Sequence, residues 1–178
     1  GMGLPLAMLN PMGKAHVPAL FDQYLAMDTD TMATALIEDI AQKITAIGGD
    51  YRIILTMADD AGGGWTNRFD WEFKHRFETR PFHRHGWLVG VLWTTDTPKI
   101  KTVREELLTT VYRGVYIQQH GYAETLDEML NQEGYALGMA GIEQWMDEDE
   151  VEYSAEILAP HLQSEAYALQ LVCFYGDS

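Results

Sequence analysis

The chain has 178 residues, 47% apolar and 22% charged, and its 12 Lys and Arg against 27 Asp and Glu give a formal net charge of −15. That length fits one domain spanning residues 1–178, able to bury roughly 70% of its unfolded surface and so to hold a core without covalent staples. The acidic field repels phosphate backbones and anionic bilayers, which excludes nucleic acid and membrane as partners.

Cys173 is the single cysteine, so no intrachain disulfide and no cysteine-based metal knuckle can form, and a reducing cytoplasm is the expected compartment. The first five residues lack the basic region and apolar core of a signal peptide, and Gly1 before Met2 reads as the scar of a cleaved purification tag. The strongest apolar run, "WLVGVLW" at 87–93, is far shorter than the ~20 residues a spanning helix needs.

Taken in chain order, residues 1–18 carry three of the prolines and read as a surface arm. Residues 19–27, "ALFDQYLAM", suit a short helix. Asp28 and Asp30 are candidate N-caps for a second helix over 31–47, ending at Gly48-Gly49. Its positions Ala33, Leu36, Ile37, Ile40, Ile44 and Ile47 follow helical spacing. "YRIILTM" at 51–57 is a strand by composition.

After "DDAGGGWTNR" the alternation over 69–78 is strict. Phe69, Trp71, Phe73, His75 and Phe77 fall at every second position, with charged residues between them. Period two predicts a half-buried strand, solvated on its charged side. A connector over 79–86 leads to a third strand at 87–94. Three strands joined by short connections favour an antiparallel meander.

The remainder reads as helices. One opens on a Thr102/Glu105 capping box and stops at Gly121, and a second opens on Thr125/Glu128 and stops at Gly138 or Gly141. The acidic run at 147–150 is a solvated linker or helix entry, followed by helix to Pro160. Residues 164–175 suit helix or buried strand, with helix capped by Ser164 preferred. The expected class is therefore α+β: an antiparallel sheet of about three or more strands flanked by helices.

No motif fixes a chemistry, but four groups of residues are candidates. Gly62-Gly63-Gly64 can aim backbone N–H groups at an anion, and Arg68 adds a forked donor. With a strand expected behind it the loop lacks a helix dipole, so it reads as a hinge presenting Trp65, Asn67 and Arg68 to a ligand. Asp59 and Asp60 could ligate a hard cation such as Mg²⁺. His83 and His85 form H-x-H close to His75, a candidate zinc set that Arg80 and Arg84 disfavour.

Glu133 falls near the centre of the apolar stripe Leu126, Met129, Leu130, Ala136, Leu137 and Ala140, and Arg104 lies within the apolar arc of the preceding helix. A buried carboxylate needs a partner or a raised pKa. Glu133 is therefore half of a structural pair, with Arg104 or a histidine, or else a general acid/base beside His75.

The functional expectation is a small polar or anionic ligand bound between sheet and helices by Trp65, Asn67, Arg68, Arg104, His75 and Glu133. The alternatives are a metal-dependent hydrolase using Asp59, Asp60, His83 and His85, and a non-catalytic homodimeric interaction protein. No cofactor is expected beyond a divalent ion.

Overall fold

The computed structural model describes residues 14–44, 48, 50–61 and 68–176. Helices α1 (His16–Ala26) and α2 (Thr29–Lys43) precede strand β1 (Arg52–Ala58). Helix α3 (Arg68–Phe77) and the short α4 (Arg80–His83) lead to β2 (Trp87–Trp93), and α5 (Ile100–His120) and α6 (Leu126–Ala140) follow. Helix α7 (Glu148–Leu158), a 3-10 turn (Ala159–His161) and α8 (Tyr167–Tyr175) complete the described chain.

The expected α+β class with an antiparallel sheet is overturned. Among the described residues the fold is mainly helical, and its one sheet has two strands that run parallel, Arg52 opposite Trp87 through Ala58 opposite Trp93. A parallel pair needs a crossover, and α3 with α4 supplies it. Residues 69–78, expected as the middle strand, are instead most of that crossover helix.

The reason lies in the same alternation. Every second position also contains every fourth, and at about 100° per residue positions four apart share one helical face. Phe69, Phe73 and Phe77 form one stripe, from which Phe73 and Phe77 pack with Met129, Leu171, Phe174 and Tyr175. Trp71 and His75 form a second stripe roughly opposite, where Trp71 packs against Ala58, Val91 and Trp93 of the sheet. The charges between the stripes lock as i,i+4 pairs: Arg68–Glu72 at 2.9 Å, Asp70–Lys74 at 2.7 Å and Glu72–Arg76 at 3.3 Å.

Other elements stand close to expectation. The Thr125/Glu128 capping box is formed, and Gly141, at φ 69°, closes α6 in the left-handed region. The expected Thr102/Glu105 box is not made, because α5 begins three residues earlier, at Ile100 with Lys99 as its N-cap. Asp147 and Glu150 form a box of their own that opens α7, so the acid run is a helix entry. Helix α2 ends at Lys43, and 45–47 lie outside the described residues, as do 1–13 of the expected arm. No helix among the described residues is long and apolar enough to cross a membrane.

The sheet is covered on both faces. Val17, Leu20 and Tyr24 of α1 meet Met57, Leu92, Val103 and Leu107, while Ile40 of α2 joins Leu108, Val111, Tyr112, Val115 and Ala136. Helix α5 approaches β2 closely because position 90 is glycine: a Cβ there would stand 2.7 Å from Leu55 Cδ2 and 3.0 Å from Thr110 Oγ1. With α3 on the opposite face, the free edge of β2 opens into the gap between α3 and α5.

Candidate functional site

That gap is a cleft of about 220 Å³. Helix α3 lines it with Arg68, Glu72, His75 and Arg76, and β2 with Val91 and Trp93. Asp96 follows β2, and α5 contributes Thr102, Glu105, Glu106, Thr109 and Arg113, while Leu137 and Ile142 close one side. The i,i+4 spacing that builds α3 delivers Arg68, Glu72 and Arg76 as one charged stripe between its two aromatic ones.

Two residues satisfy the free edge of β2. The Val91 N–H donates to Glu106 Oε1 at 2.9 Å, and His75 hydrogen-bonds the backbone of Val89. His75 Nε2 is buried and has no hydrogen-bond partner among the described residues. Burial, with Arg113 and Arg76 adding repulsion against the Val89 bond, lowers the His75 pKa from 6.5 to about 4. The ring is thus neutral near pH 7, with Nε2 an acceptor.

This histidine makes the fold acid-sensitive. A base whose folded pKa lies below its unfolded value withholds protons that the unfolded chain takes up. Its stabilising contribution is complete above pH 6.5 and is lost as the pH falls toward 4. Between pH 7 and 4.5 the loss is about 2–3 kcal/mol. Urea unfolding at both values should show His75→Gln losing less stability than the parent; equal losses would mean that His75 is solvated.

Arg113 and Glu133 stand behind the cleft as a buried ion pair. Arg113 Nε donates to Glu133 Oε1 at 2.7 Å and Nη2 to Oε2 at 2.9 Å, with the residues 7% and 5% exposed. Burial works to raise the Glu133 pKa, but attraction and hydrogen bonding from Arg113 outweigh it, with smaller help from Arg76 and Gln132, so it is held low. Arg76 Nη1 lies 3.6 Å from Glu133 Oε2. Glu106 is displaced the other way: burial, with Glu72 adding to it, raises its pKa against the pull of Arg113, Arg76 and the Val91 bond.

The sequence-derived candidates divide clearly. Arg68 and His75 reach this cleft, and Glu133 acts on it through Arg113 and Arg76. Arg104 is exposed, so the Arg104–Glu133 pair is not made, nor a Glu133–His pair. Trp65, Asn67 and Gly62-Gly63-Gly64 lie outside the described residues. The expectation that the glycine loop feeds a strand is overturned, since α3 begins at Arg68.

The proposed metal donors do not converge. Asp59 and Asp60 follow the C-terminal end of β1, whereas His83 and His85 precede the N-terminal end of β2. Parallel seven-residue strands hold those ends roughly 20 Å apart. Asp59 instead binds Lys14, His16 Nε2 at 2.8 Å and Thr94 Oγ1 at 2.8 Å. Asp60 accepts from the Thr95 backbone at 3.0 Å and its hydroxyl at 2.7 Å, and from Arg68 Nη1 at 3.3 Å. His83 Nδ1 lies 3.3 Å from the Tyr122 hydroxyl, and His85 is exposed. Among the described residues no group of three or more His, Cys, Asp or Glu could hold an ion.

Glu72, Arg76, Asp96, Glu105, Glu106, Thr109 and Arg113 were not anticipated. Arg113 had a readable signal. The run Leu107–Val115 has no charge but Arg113, and a helix apolar around its circumference is buried, so its one charge must be paired. Glu106 had none, because its role depends on which edge of β2 stays free. Compared with family models, curated proteins and solved structures, the chain matches none.

Proposed function

We propose that the protein binds a small polar molecule in the cleft between α3, β2 and α5. The observation that carries this reading is the convergence of oriented polar groups from three elements on one concave space. His75 and Glu106 are pinned to the edge of β2, and Arg113 and Arg76 are held from behind by Glu133. Arg68 lies 5.3 Å over the Trp93 ring and is fixed by Asp96 at 2.8 Å. Positions held this way are preorganised, with Val91, Trp93, Leu137 and Ile142 as apolar wall, the mixture expected of a small-molecule site. At about 220 Å³ the cleft is below the ~300–1,000 Å³ of drug-sized sites, so the ligand is small. The free, half-buried Cys173 fits a cytoplasmic setting.

A fragment screen followed by amide chemical shifts tests the reading. Binders should move the amides of Val89, Val91 and Glu106 together. Binders that shift only other surfaces, or no binder among several hundred fragments, would end it.

A further inference from the structure

The hydrogen-bonding account of the cleft is lopsided. Its guanidiniums are engaged: Arg68 with Asp60, Glu72 and Asp96, Arg76 with Glu72 and Glu133, and Arg113 with both oxygens of Glu133. Acceptors are left over. Glu106 Oε1 takes the Val91 N–H and, at 3.5 Å, the Thr110 hydroxyl. Its Oε2 accepts no hydrogen bond among the described residues, and Glu106 has no ion-pair partner there. His75 Nε2 is a second spare acceptor. Thr109 spends its hydroxyl proton on the backbone carbonyls of Glu105 and Glu106, at 2.9 and 3.3 Å, which leaves its oxygen lone pairs. A ligand for this surface must bring N–H donors and positive charge.

We propose that the cleft takes a small primary ammonium ion carrying a short apolar chain, with the ammonium on Glu106 and the chain against Leu137 and Ile142. This deepens the binding reading above and rests on it. Charge supports it: the lining holds Arg68, Arg76 and Arg113 against Glu72, Asp96, Glu105 and Glu106. From outside the lining Asp60 and Glu133 engage the arginines and Lys101 engages Glu105 at 3.6 Å, which leaves Glu106 as the carboxylate without an ion-pair partner among the described residues. An anion would meet committed donors and surplus carboxylates. A metal ion lacks the three donors it needs among the described residues. A primary ammonium offers three N–H groups to carboxylate, imidazole and hydroxyl.

Binding is linked to protons. Arg113 on α5 and Arg76 on α3 face Glu106 and favour its charge, Glu72 on α3 opposes it, and the Val91 N–H of β2 supports it. Burial nonetheless leaves Glu106 above the ordinary carboxylate range. A cation on Oε2 removes that proton, so affinity should fall as the pH is lowered through the Glu106 pKa.

Butylammonium, butyrate and 1-butanol share a chain and differ in head group, and titrating each into the full chain by amide NMR is decisive. Butylammonium should saturate and shift Val91, whose N–H rests on Glu106, and should bind at least tenfold more tightly than the other two. Glu106→Gln, which keeps an acceptor for Val91, should weaken it at least tenfold. Leu137→Trp, at a position already 40% exposed, should weaken it by narrowing the apolar wall without burdening the core. Butyrate binding as tightly, affinity rising toward pH 5, or Glu106→Gln leaving affinity unchanged would each overturn the inference. If other fragments occupy the cleft and butylammonium does not, the ammonium assignment falls and the binding reading stands. If nothing shifts the cleft amides, both fall.

Discussion

Arg113→Met should destabilise the protein by about 3–5 kcal/mol, the cost of leaving a buried carboxylate without its partner. For a chain of this length that lowers Tm by about 10 °C. Methionine keeps the volume, so the loss is electrostatic rather than a cavity effect. Glu133 is 5% exposed, and Arg76, 3.6 Å away, is too distant to replace two bonds of 2.7 and 2.9 Å. Arg113→Met with Glu133→Leu should recover at least half of the loss, because two apolar groups carry no desolvation cost. A double variant as unstable as Arg113→Met alone would show that the pair is not the source of the penalty. The recovered double variant also separates fold from site, since it removes both Arg113 and Glu133 from behind the cleft while the fold is kept. Folded protein with lost fragment binding would show that the cleft needs the pair for its site and not only for its fold.

What could be read from the chain were features whose cause is local. The Thr125/Glu128 box, Gly141, the β1 and β2 segments and the need to pair Glu133 all follow from a few neighbouring residues. What could not be read was decided by distant contacts. The identity of the Glu133 partner depended on how α5 rotates. Arg104 lies in the exposed first part of that helix, whereas Arg113 lies where β2, α3 and α6 crowd around it. The direction of the sheet turned on one segment. Had residues 69–78 been a strand, β1 and β2 would have had a neighbour between them and no need of a parallel crossover. The pairs Arg68–Glu72, Asp70–Lys74 and Glu72–Arg76 were present in the sequence as a helical signature, and period-two counting does not register them. The cleft depended on this point too, because only as a helix does the segment form a wall beside β2 that carries Arg68, Glu72, His75 and Arg76.

Phe73→Ala should cost about 3–5 kcal/mol, and where the damage spreads distinguishes the helix from the expected strand. Phe73 is 2% exposed, its ring 4.9 Å from Phe77, 5.1 Å from Tyr167 and 6.2 Å from Phe174. Truncation opens a void between α3 and α8 that neither helix can close without moving. Helix α8 has only Gln170 buried and depends on this aromatic contact, so its amides should lose hydrogen-exchange protection first. Trp71→Ala acts on the other stripe. It loosens the contact with Ala58, Val91 and Trp93 and should leave α8 protection unchanged. On a strand, residues 71 and 73 would share one face, and both variants would expose the same neighbours. Separate exchange patterns for the two therefore require the helix, and with it the charged stripe of Arg68, Glu72 and Arg76 that the cleft is built on. Glu78→Ala, at an exposed position, should stay within about 0.5 kcal/mol of the parent. Identical exchange patterns for Phe73→Ala and Trp71→Ala would return the segment to a strand and remove the wall that α3 gives the site.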